Sequence, residues 1–265
     1  MSNVTDSKLP LMLRQLNLPA MKDLWGDLSR QADQEGWGSA RFLESLCEHE
    51  LQGRESRRFA RHFKEAGLPK GKTFSTYNFA HAPNLNKTQI YTMATGGAWI
   101  KNGDNILVFG PSGVGKTHLV AAMGTQLIER GYRLLFSSTT SLLQKLQAAR
   151  QSYSLPSTLQ KLDKYDCIIL DDLGYVQKDH DETSVLFELI SDRYERKSMI
   201  ITCNHPFSGW DTIFKDKTMA VAAIDRLVHH STILQMNNES YRRSAALSRS
   251  KKAESTESKT GGELL

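Results

Sequence analysis

The sequence predicts an α/β fold, in which a parallel β-sheet is covered by helices on both faces. Apolar, strand-like runs alternate with helical patterns along most of the chain, from Ile106 to Met236. One of these runs, Cys167–Leu170, is continuously apolar, as expected for a central strand that is buried on both faces. A glycine-rich segment, Gly110–Thr117, lies directly between a strand-like run and a helical pattern, as ligand-binding loops of parallel sheets do.

The composition is that of an ordinary soluble protein, with 265 residues, of which 39% are hydrophobic and 24% charged. No apolar run approaches the roughly 18 residues that a membrane span needs, and the N-terminus does not resemble a secretory signal. The three cysteines lack metal-ligand spacing and are interpreted as reduced thiols. These features predict a cytoplasmic protein without a membrane partner. The net charge of +5 permits a polyanionic partner but does not require one.

Residues 1–69 are predicted to form a small, all-helical N-terminal domain. Residues 8–33 show three- and four-residue apolar spacing in two helical pieces, which are separated near Pro19. A long helix is predicted to begin at Ala40, and Gly67-Leu68-Pro69 ends it. The domain boundary is therefore placed after residue 69.

The second half of this long helix carries a row of basic residues. They recur at three- and four-residue spacing and share one helix face: Arg54, Arg57, Arg58, Arg61 and Lys64. Between Leu51 and Lys72, seven lysines and arginines stand against only Glu55 and Glu65. Such a surface suits the phosphate backbone of DNA, without base specificity. The alternative is a solvated face whose charges pair within the helix, but the excess of bases favours DNA.

Residues 70–247 are predicted to form the α/β domain, and the sequence permits Thr73–Phe79 to lie beside a nucleotide base. The predicted strands are Ile106–Phe109, Leu134–Phe136, Tyr165–Leu170, Met199–Cys203 and Thr232–Met236. The predicted helices are Lys87–Ile100, the helix after the glycine-rich loop, Thr140–Arg150, Thr183–Lys197 and Met219–Ile224. Residues 248–265 are polar and are predicted to be a disordered tail.

The glycine-rich segment has the pattern of a phosphate-binding loop, which is glycine, four residues and then Gly-Lys-Thr. Its glycines let successive N–H groups surround phosphate oxygens, and the following helix points its positive dipole end at them. Lys116 is expected to contact the β- and γ-phosphates, and the Thr117 hydroxyl to bind Mg²⁺. The predicted ATP-binding residues are Gly110, Pro111, Ser112, Gly113, Val114, Gly115, Lys116, Thr117 and His118. For His118, a packing or hydrogen-bonding role is the alternative.

Two acids, Asp171 and Asp172, directly follow the run that predicts a central strand. Because the carboxyl ends of parallel strands meet at one edge of the sheet, Asp171 is expected beside the Mg²⁺ that Thr117 also holds. Asp172 is expected to orient and deprotonate the attacking water. The alternative is an acid pair in a turn that Gly174 completes.

Three more polar residues follow in positions that suit an ATPase site. Asn204 ends the fourth strand-like run, where its amide would reach the γ-phosphate or the water. Many ATPases need an arginine at the transferred phosphoryl group, and Arg226 and Arg242 are the candidates. The residues alone leave open whether Arg226 acts on its own nucleotide, acts on a neighbour's, or is an ordinary surface arginine.

In this order the motifs resemble those of AAA+ ATPases of the DnaC-like branch. More closely, the chain resembles the IstB-type helper ATPases of bacterial insertion sequences over roughly residues 9–247. The segments that carry the resemblance are Gly110–Thr117, Cys167–Tyr175, Ile190–Arg196, Thr202–Asn204, Asp225–His230 and Ser240–Arg242.

The resemblance implies an AAA+ sheet of five parallel strands in the order 5-1-4-3-2, preceded by the helical domain. It implies that Asn204 is the sensor-1 residue, that Arg226 is an arginine finger acting on the neighbouring subunit's ATP, and that Arg242 is the sensor-2 arginine. It also implies ATP-dependent self-assembly on double-stranded DNA, DNA bending and stimulation of the transposase encoded by the same element, in a bacterial cytoplasm.

Two departures from the wider AAA+ pattern affect these expectations. Asp172 stands where many AAA+ proteins have glutamate, and the shorter side chain implies slow, DNA-stimulated hydrolysis. Ser112-Gly113-Val114 replaces a common Pro-Gly-Thr and is expected to leave phosphate binding intact. Two other functions stay open: a DnaC-like replicative helicase loader, which would grip a helicase and single-stranded DNA, and a small-molecule P-loop kinase, which would act as a monomer.

Overall fold

The computed structural model describes residues 8–174, 179–206, 209–210, 213 and 217–237. The chain divides into two compact units between Arg61 and His62, and each is described by itself. The boundary that the sequence places after residue 69 stays a prediction. No helix within the described ranges combines the length and the hydrophobicity that crossing a membrane requires.

The described residues form helices and strands in the following ranges. The helices are α1 (Leu9–Gln15), α2 (Pro19–Glu35), α3 (Ser39–Ala66), α4 (Lys87–Gly96), α5 (Ala98–Asn102), α6 (Lys116–Glu129), α7 (Thr139–Gln151), α8 (Leu155–Leu162), α9 (His180–Arg193) and α10 (Lys217–His229). The strands are β1 (Asn105–Phe109), β2 (Leu134–Ser138), β3 (Cys167–Asp171), β4 (Ser198–Cys203) and β5 (Ser231–Gln235).

The N-terminal unit consists of α1, α2 and most of α3, so its two helical pieces before α3 are confirmed. Pro19 is the first residue of α2, where its missing N–H costs no intrahelical hydrogen bond. The apolar faces of these helices meet in a small core of Leu13, Met21, Leu28 and Leu46. The unit is therefore held by one narrow apolar stripe from each helix.

The second unit is built on a parallel sheet with the order β2-β3-β4-β1-β5, which confirms the predicted order read from its other edge. Strands β1, β3 and β4 are buried along their whole length, as their apolar sequences require. Helices pack on both faces, so two apolar clusters lie on opposite sides of the sheet. Cys167 and Cys203 are buried in β3 and β4, and all three cysteines are free thiols.

The predicted continuous helix Lys87–Ile100 is wrong, because the structure divides it into α4 and α5 at Gly97. Gly97 has a left-handed backbone with φ of +61°. The Tyr132 ring occupies the space where a Cβ on Gly97 would lie, and the Tyr132 hydroxyl donates to the Gly97 carbonyl at 3.2 Å. Only glycine accommodates both the backbone angle and this close ring, so the helix ends there.

Helix α9 also differs from the predicted range Thr183–Lys197. It begins earlier because Asp179 and Glu182 form a reciprocal capping box at its N-terminus. It ends at Arg193, after which Glu195 adopts a left-handed conformation with φ of +55° and turns the chain toward β4. A further helix, α8, was not predicted from the sequence.

Candidate nucleotide-binding site

The glycine-rich loop joins β1 to α6, as predicted. Gly110 follows the buried strand, and a Cβ at this position would collide with the carbonyl oxygen of Met236. Gly115 forms the N-cap of α6 with φ of +104°, a conformation that side-chain-bearing residues rarely adopt. These two positions therefore require glycine. The loop ends at the N-terminus of α6, and the free N–H groups of a helix N-terminus favour an anion.

Lys116 is held rigidly at the first position of α6, where only 5% of its surface is exposed. Its ammonium donates to the carbonyl oxygens of Gly110 at 2.7 Å and Pro111 at 2.9 Å. It also donates to Oδ1 of Asn204 at 2.5 Å. Because a buried cation is costly unless it is hydrogen-bonded, these partners fix the charge beside the loop.

Asn204 follows the end of β4, which lies between β1 and β3 in the sheet. An ammonium group can only donate, so the atom of Asn204 that faces Lys116 must be the amide oxygen. The amide nitrogen remains as a donor for a phosphate oxygen or a water. This geometry brings Asn204 to the phosphate loop, as the predicted sheet order requires.

Asp171 is the last residue of β3, and 7% of its surface is exposed. The Thr117 hydroxyl donates to its Oδ1 at 3.2 Å, so the structure brings together the two predicted metal ligands. Oδ1 also accepts from the Thr202 hydroxyl at 2.6 Å. The carboxylate of β3 and the hydroxyl of α6 therefore meet at the carboxyl edge of the sheet.

Burial raises the pKa of the Asp171 carboxyl above its ordinary value. The hydrogen bonds from Thr202 and Thr117 oppose this rise, the negative charge of Asp172 adds to it, and the positive charge of Lys72 reduces it. A carboxylate that is costly to bury and only partly satisfied by hydroxyls is well suited to a cation ligand.

Asp172 has a left-handed backbone with φ of +61°, which is uncommon for a residue with a side chain. Its N–H donates to the Thr202 hydroxyl at 2.9 Å, and the next N–H, of Leu173, donates to the Thr202 carbonyl at 2.9 Å. The turn after β3 is thus fastened to β4, and the Asp172 side chain faces the cavity described next.

A cavity of about 550 Å³ lies beside the phosphate loop, a volume typical of small-ligand sites. Its lining residues are Lys72, Thr76, Tyr77, Asn78, His81, Ser112, Gly113, Val114, Gly115, Lys116, Thr117, His118 and Asp172. The segment Thr73–Phe79, which the sequence only permitted to lie near the base, contributes three of these residues. The cavity therefore joins the phosphate loop to a wall built by the chain that precedes α4.

His118 supports this wall. Its Nε2 lies 3.1 Å from the Thr76 hydroxyl and 3.2 Å from the Thr73 carbonyl. Its ring packs edge-on against Tyr77 with 5.2 Å between the ring centres. Burial raises the pKa of Tyr77 to about 12, so this phenol stays neutral. His118 both lines the cavity and links the wall to α6, which favours the hydrogen-bonding role for it.

Arg226 lies within α10, whereas the sequence placed it after the end of that helix. Its Nη1 donates to the Ala222 carbonyl at 3.2 Å, and its guanidinium carbon lies 4.9 Å from the centre of the Phe187 ring on α9. Arg226 does not line the cavity, and within the described residues no other arginine does. The other predicted arginine, Arg242, lies outside the described residues.

The basic residues of α3 are not all free to bind DNA. Glu50, which is 3% exposed, accepts from Arg54 at 3.1 Å and from Arg57 at 3.0 Å. It also accepts from the Ala20 and Met21 N–H groups at the start of α2. Arg54 and Arg57 therefore have a structural role in the N-terminal unit.

Glu50 directly precedes Leu51 and so lies just outside the segment Leu51–Lys72, in which bases outnumber acids. Arg58, Arg61 and Lys64 are exposed and form no ion pair with a described residue. Contact between this surface and DNA stays a prediction.

The sequence patterns did not indicate three residues of this site, Thr202, Lys72 and His81. Thr202 is fully buried, directly before the last residue of β4, and it follows the apolar run Met199–Ile201. The feature of the sequence that could have indicated Thr202 is its hydroxyl, which stands two residues before Asn204 at the end of an apolar run. Lys72 and His81 flank the segment Thr73–Phe79, and only the fold brings them to the cavity.

The site combines a phosphate loop after β1, an acid at the end of β3 and an amide directly after β4, the strand that lies between β1 and β3. This combination defines a P-loop nucleoside triphosphatase of the AAA+ class. A family model described as IstB-like ATP binding protein matches residues 11–249. The chain belongs to this family.

Relatives of known sequence agree with this assignment. A putative insertion sequence ATP-binding protein of Sinorhizobium fredii is 53% identical over 93% of this chain and 83% of its own length. The putative ATP-binding protein of insertion sequence IS21 from Pseudomonas aeruginosa is 34% identical over 89% of this chain and 88% of its own length.

Among solved structures, the DnaC helicase loader aligns with a TM-score of 0.52 at 20% identity, over 63% of this chain and 97% of its own. DnaA from Aquifex aeolicus, bound to AMPPCP, aligns with a TM-score of 0.53 at 18% identity, over 64% of this chain and 51% of its own. At these identities the likeness shows a shared fold.

Proposed function

We propose that this protein is an ATP-dependent regulator of DNA transposition. In this proposal it multimerises on duplex DNA when it binds ATP, bends or remodels that DNA, and stimulates the transposase encoded by the same insertion sequence. Family membership supports the link to insertion sequences. One observation supports the assembly mechanism. No arginine among the described residues lines the cavity, and Arg226 lies away from it, over the ring of Phe187.

The donor set at the end of β3 fits Mg²⁺. A hydroxyl and a carboxylate lie 3.2 Å apart beside the loop, and both are the oxygen ligands that Mg²⁺ prefers. Thr117 and Asp171 would hold the ion, which would neutralise phosphate charge when bound. No other described residue is required for this role, because Mg²⁺ commonly keeps several waters.

Three further residues of the site, Lys116, Asn204 and Asp172, each have a separate role in ATP hydrolysis. Lys116 binds phosphate oxygens as a fixed charge, and Asn204 donates its amide N–H to the γ-phosphate or the attacking water. The Asp172 carboxylate accepts a hydrogen bond from that water, orients it and takes its proton. The short Asp172 side chain and its strained turn suit slow hydrolysis, which would time release from DNA.

Arg226 completes the site of the neighbouring subunit in this proposal. It lies on α10, and it does not reach its own cavity. A guanidinium from a neighbour is typically worth 10³–10⁵ in turnover, so hydrolysis would depend on assembly. This arrangement couples ATP turnover to the multimer.

Mixing two inactive variants tests the composite site. Arg226→Ala binds ATP but offers no finger, whereas Lys116→Ala offers a finger but binds little ATP. Lys116→Ala does not assemble by itself, so it enters a multimer only beside an Arg226→Ala subunit that holds ATP. If the two variants mixed fully at random at 1:1, roughly a quarter of the interfaces would pair an intact ATP site with an intact Arg226, because each interface joins two different surfaces. We expect turnover to return in part, to at most about that fraction of the wild-type value, measured as phosphate release on duplex DNA.

The matched control mixes Arg226→Ala with the double variant Lys116→Ala/Arg226→Ala, which offers no finger and should restore nothing. If Lys116→Ala is captured on DNA together with Arg226→Ala and still no ratio of the two restores turnover, Arg226 does not act on a neighbour.

The exposed basic residues of α3 are the proposed DNA contact. Charge reversal of Arg58 and Arg61 should weaken binding to duplex DNA. It should also reduce the slope of log affinity against log salt concentration by roughly 2, because two phosphate contacts are lost. Fluorescence anisotropy with labelled duplex at several salt concentrations measures both effects.

The control for this prediction is charge reversal of Lys145 and Lys161, which are exposed on α7 and α8 and change the net charge equally. An unchanged salt slope in Arg58→Glu/Arg61→Glu would assign the α3 surface to a protein partner. Arg54 and Arg57 are left intact in this test because they hold Glu50.

Electron microscopy of the protein on duplex DNA with ATP, with ADP and without nucleotide tests the function as a whole. We expect ordered multimers on the DNA with ATP only, and capture of the element's transposase by those multimers. Binding restricted to single strands, together with capture of a replicative helicase, would favour a helicase loader. A monomer whose turnover ignores DNA would favour a small-molecule kinase.

A further inference from the structure

Thr202 lies on β4, the strand next to β3, and contacts both acids of the site, Asp171 and Asp172. It is fully buried, and its backbone pairs in register with Val108 of the phosphate-loop strand. Its hydroxyl donates to Oδ1 of Asp171 at 2.6 Å and accepts from the N–H of Asp172 at 2.9 Å. Its carbonyl accepts from the N–H of Leu173 at 2.9 Å. One residue thus contacts three consecutive residues at the end of β3.

The direction of these hydrogen bonds is fixed by their chemistry. A backbone N–H can only donate, so the Thr202 hydroxyl accepts from Asp172 and uses its single proton for Asp171. That proton fills one lone-pair direction of Oδ1, and Thr117 occupies a second one. The carboxylate is therefore held in one rotation, with Oδ2 free of these two hydroxyl contacts.

The same hydroxyl also sets the position of Asp172. A left-handed aspartate costs roughly 1 kcal/mol compared with an ordinary conformation, so the turn needs a stabilising contact. The backbone N–H groups of Asp172 and Leu173 both donate hydrogen bonds to Thr202. These two bonds hold the turn in the conformation in which Asp172 lines the cavity.

We propose that Thr202 is a positioning residue that sets the geometry of both acids together. Through Asp171 it fixes a ligand of the divalent cation, and through the Asp172 turn it fixes the group that orients the water. This inference rests on the proposed ATPase function. Partners of this kind, which contact a metal ligand rather than the metal, typically affect metal affinity or activity by 10–100-fold.

The test compares Thr202→Val, which keeps the shape and removes the hydroxyl, with Thr202→Ser, which keeps the hydroxyl. For Thr202→Val we expect binding of a fluorescent ATP analogue without divalent cation to stay within about twofold of wild type, because the phosphate loop is untouched. Mn²⁺ affinity in the presence of nucleotide, measured by electron paramagnetic resonance, should fall about 10-fold or more, and kcat should fall by about 10–100-fold. Thr202→Ser should recover both.

Thr139→Val is the matched control. Thr139 is equally buried, and its hydroxyl donates to the backbone carbonyl of Asp171 at 3.0 Å instead of to the carboxylate. We expect it to lower the melting temperature as Thr202→Val does, while Mn²⁺ affinity stays near wild type. Equal losses of Mn²⁺ affinity in both variants would mean that any buried hydroxyl bond here matters, which would overturn the proposal.

If Thr202→Val does not fold, Thr202→Cys replaces it, because a thiol of similar size is a much weaker donor and acceptor. Wild-type Mn²⁺ affinity and kcat in the variant without a hydroxyl, or failure of Thr202→Ser to recover them, would overturn the inference. The Asp172→Asn variant separates this failure from failure of the proposed function. If that variant loses turnover while Thr202→Val does not, only the role of Thr202 is wrong.

Discussion

Replacing Lys116 by alanine is expected to weaken ATP binding roughly 100-fold and to abolish ATP-dependent assembly on DNA. The ammonium is nearly buried and points from the first turn of α6 toward the loop. A hydrogen bond to a charged group contributes about 1.5–3 kcal/mol, and a loss of about 3 kcal/mol corresponds to slightly more than two powers of ten in affinity. Titration of a fluorescent ATP analogue and electron microscopy on duplex DNA measure the two effects.

The control for this variant is Lys145→Ala, an exposed lysine on α7 whose removal changes the net charge equally. A circular-dichroism spectrum and a melting curve show whether Lys116→Ala still folds. Lys116→Ala multimers that form normally with ATP would contradict the assembly mechanism, even if nucleotide affinity fell as expected.

Replacing Asp172 by asparagine is expected to reduce ATP turnover by about 10²–10⁴-fold while ATP binding persists. Asparagine tolerates the left-handed backbone that Asp172 adopts, so the turn and its hydrogen bonds to Thr202 should be retained. What is lost is the carboxylate that takes the proton of the water. The protein should therefore stay on DNA as an ATP-bound multimer, which phosphate release and the lifetime of the DNA complex would measure.

Asp181→Asn, at an exposed aspartate in the first turn of α9, is the matched control and should turn over ATP normally. Unchanged turnover in Asp172→Asn would remove Asp172 from the role of base and leave the water to another group. A variant that loses ATP binding as well would show that Asp172 acts on the nucleotide itself.

The phosphate loop, the strand order and Asn204 were all predictable from the sequence. The loop is a local feature, because its glycines and its lysine are adjacent in the chain and their chemistry depends on that spacing. Asp171 could be found because it ends a strand that is apolar throughout, and parallel strands deliver their ends to one edge. The position of Asn204 beside Lys116 followed from the resemblance, which gave the order of the strands.

The basic face of α3 shows where a local count of charges fails. Glu50, which directly precedes the base-rich segment Leu51–Lys72, accepts hydrogen bonds from both Arg54 and Arg57. Glu50 is drawn inward by two backbone N–H groups of α2, about 30 residues earlier in the chain. Hydrogen bonds from the Met21 and Ala20 N–H groups and from both arginines outweigh its burial and lower its pKa, so it remains a charged partner for both arginines.

The sequence by itself was sufficient to predict that this chain binds ATP and to locate the phosphate loop, because that information lies in a short, contiguous pattern. Only the tertiary structure decided which side chains support the residues of the site. Thr202 reaches Asp171 across 31 positions, Lys72 and Tyr77 reach the cavity from before α4, and Arg226 packs on Phe187 away from its own site. Contacts between distant segments depend on how the strands and helices pack, which local spacing does not record. The phosphate-binding loop was therefore predictable in full, whereas the residues that support it were not.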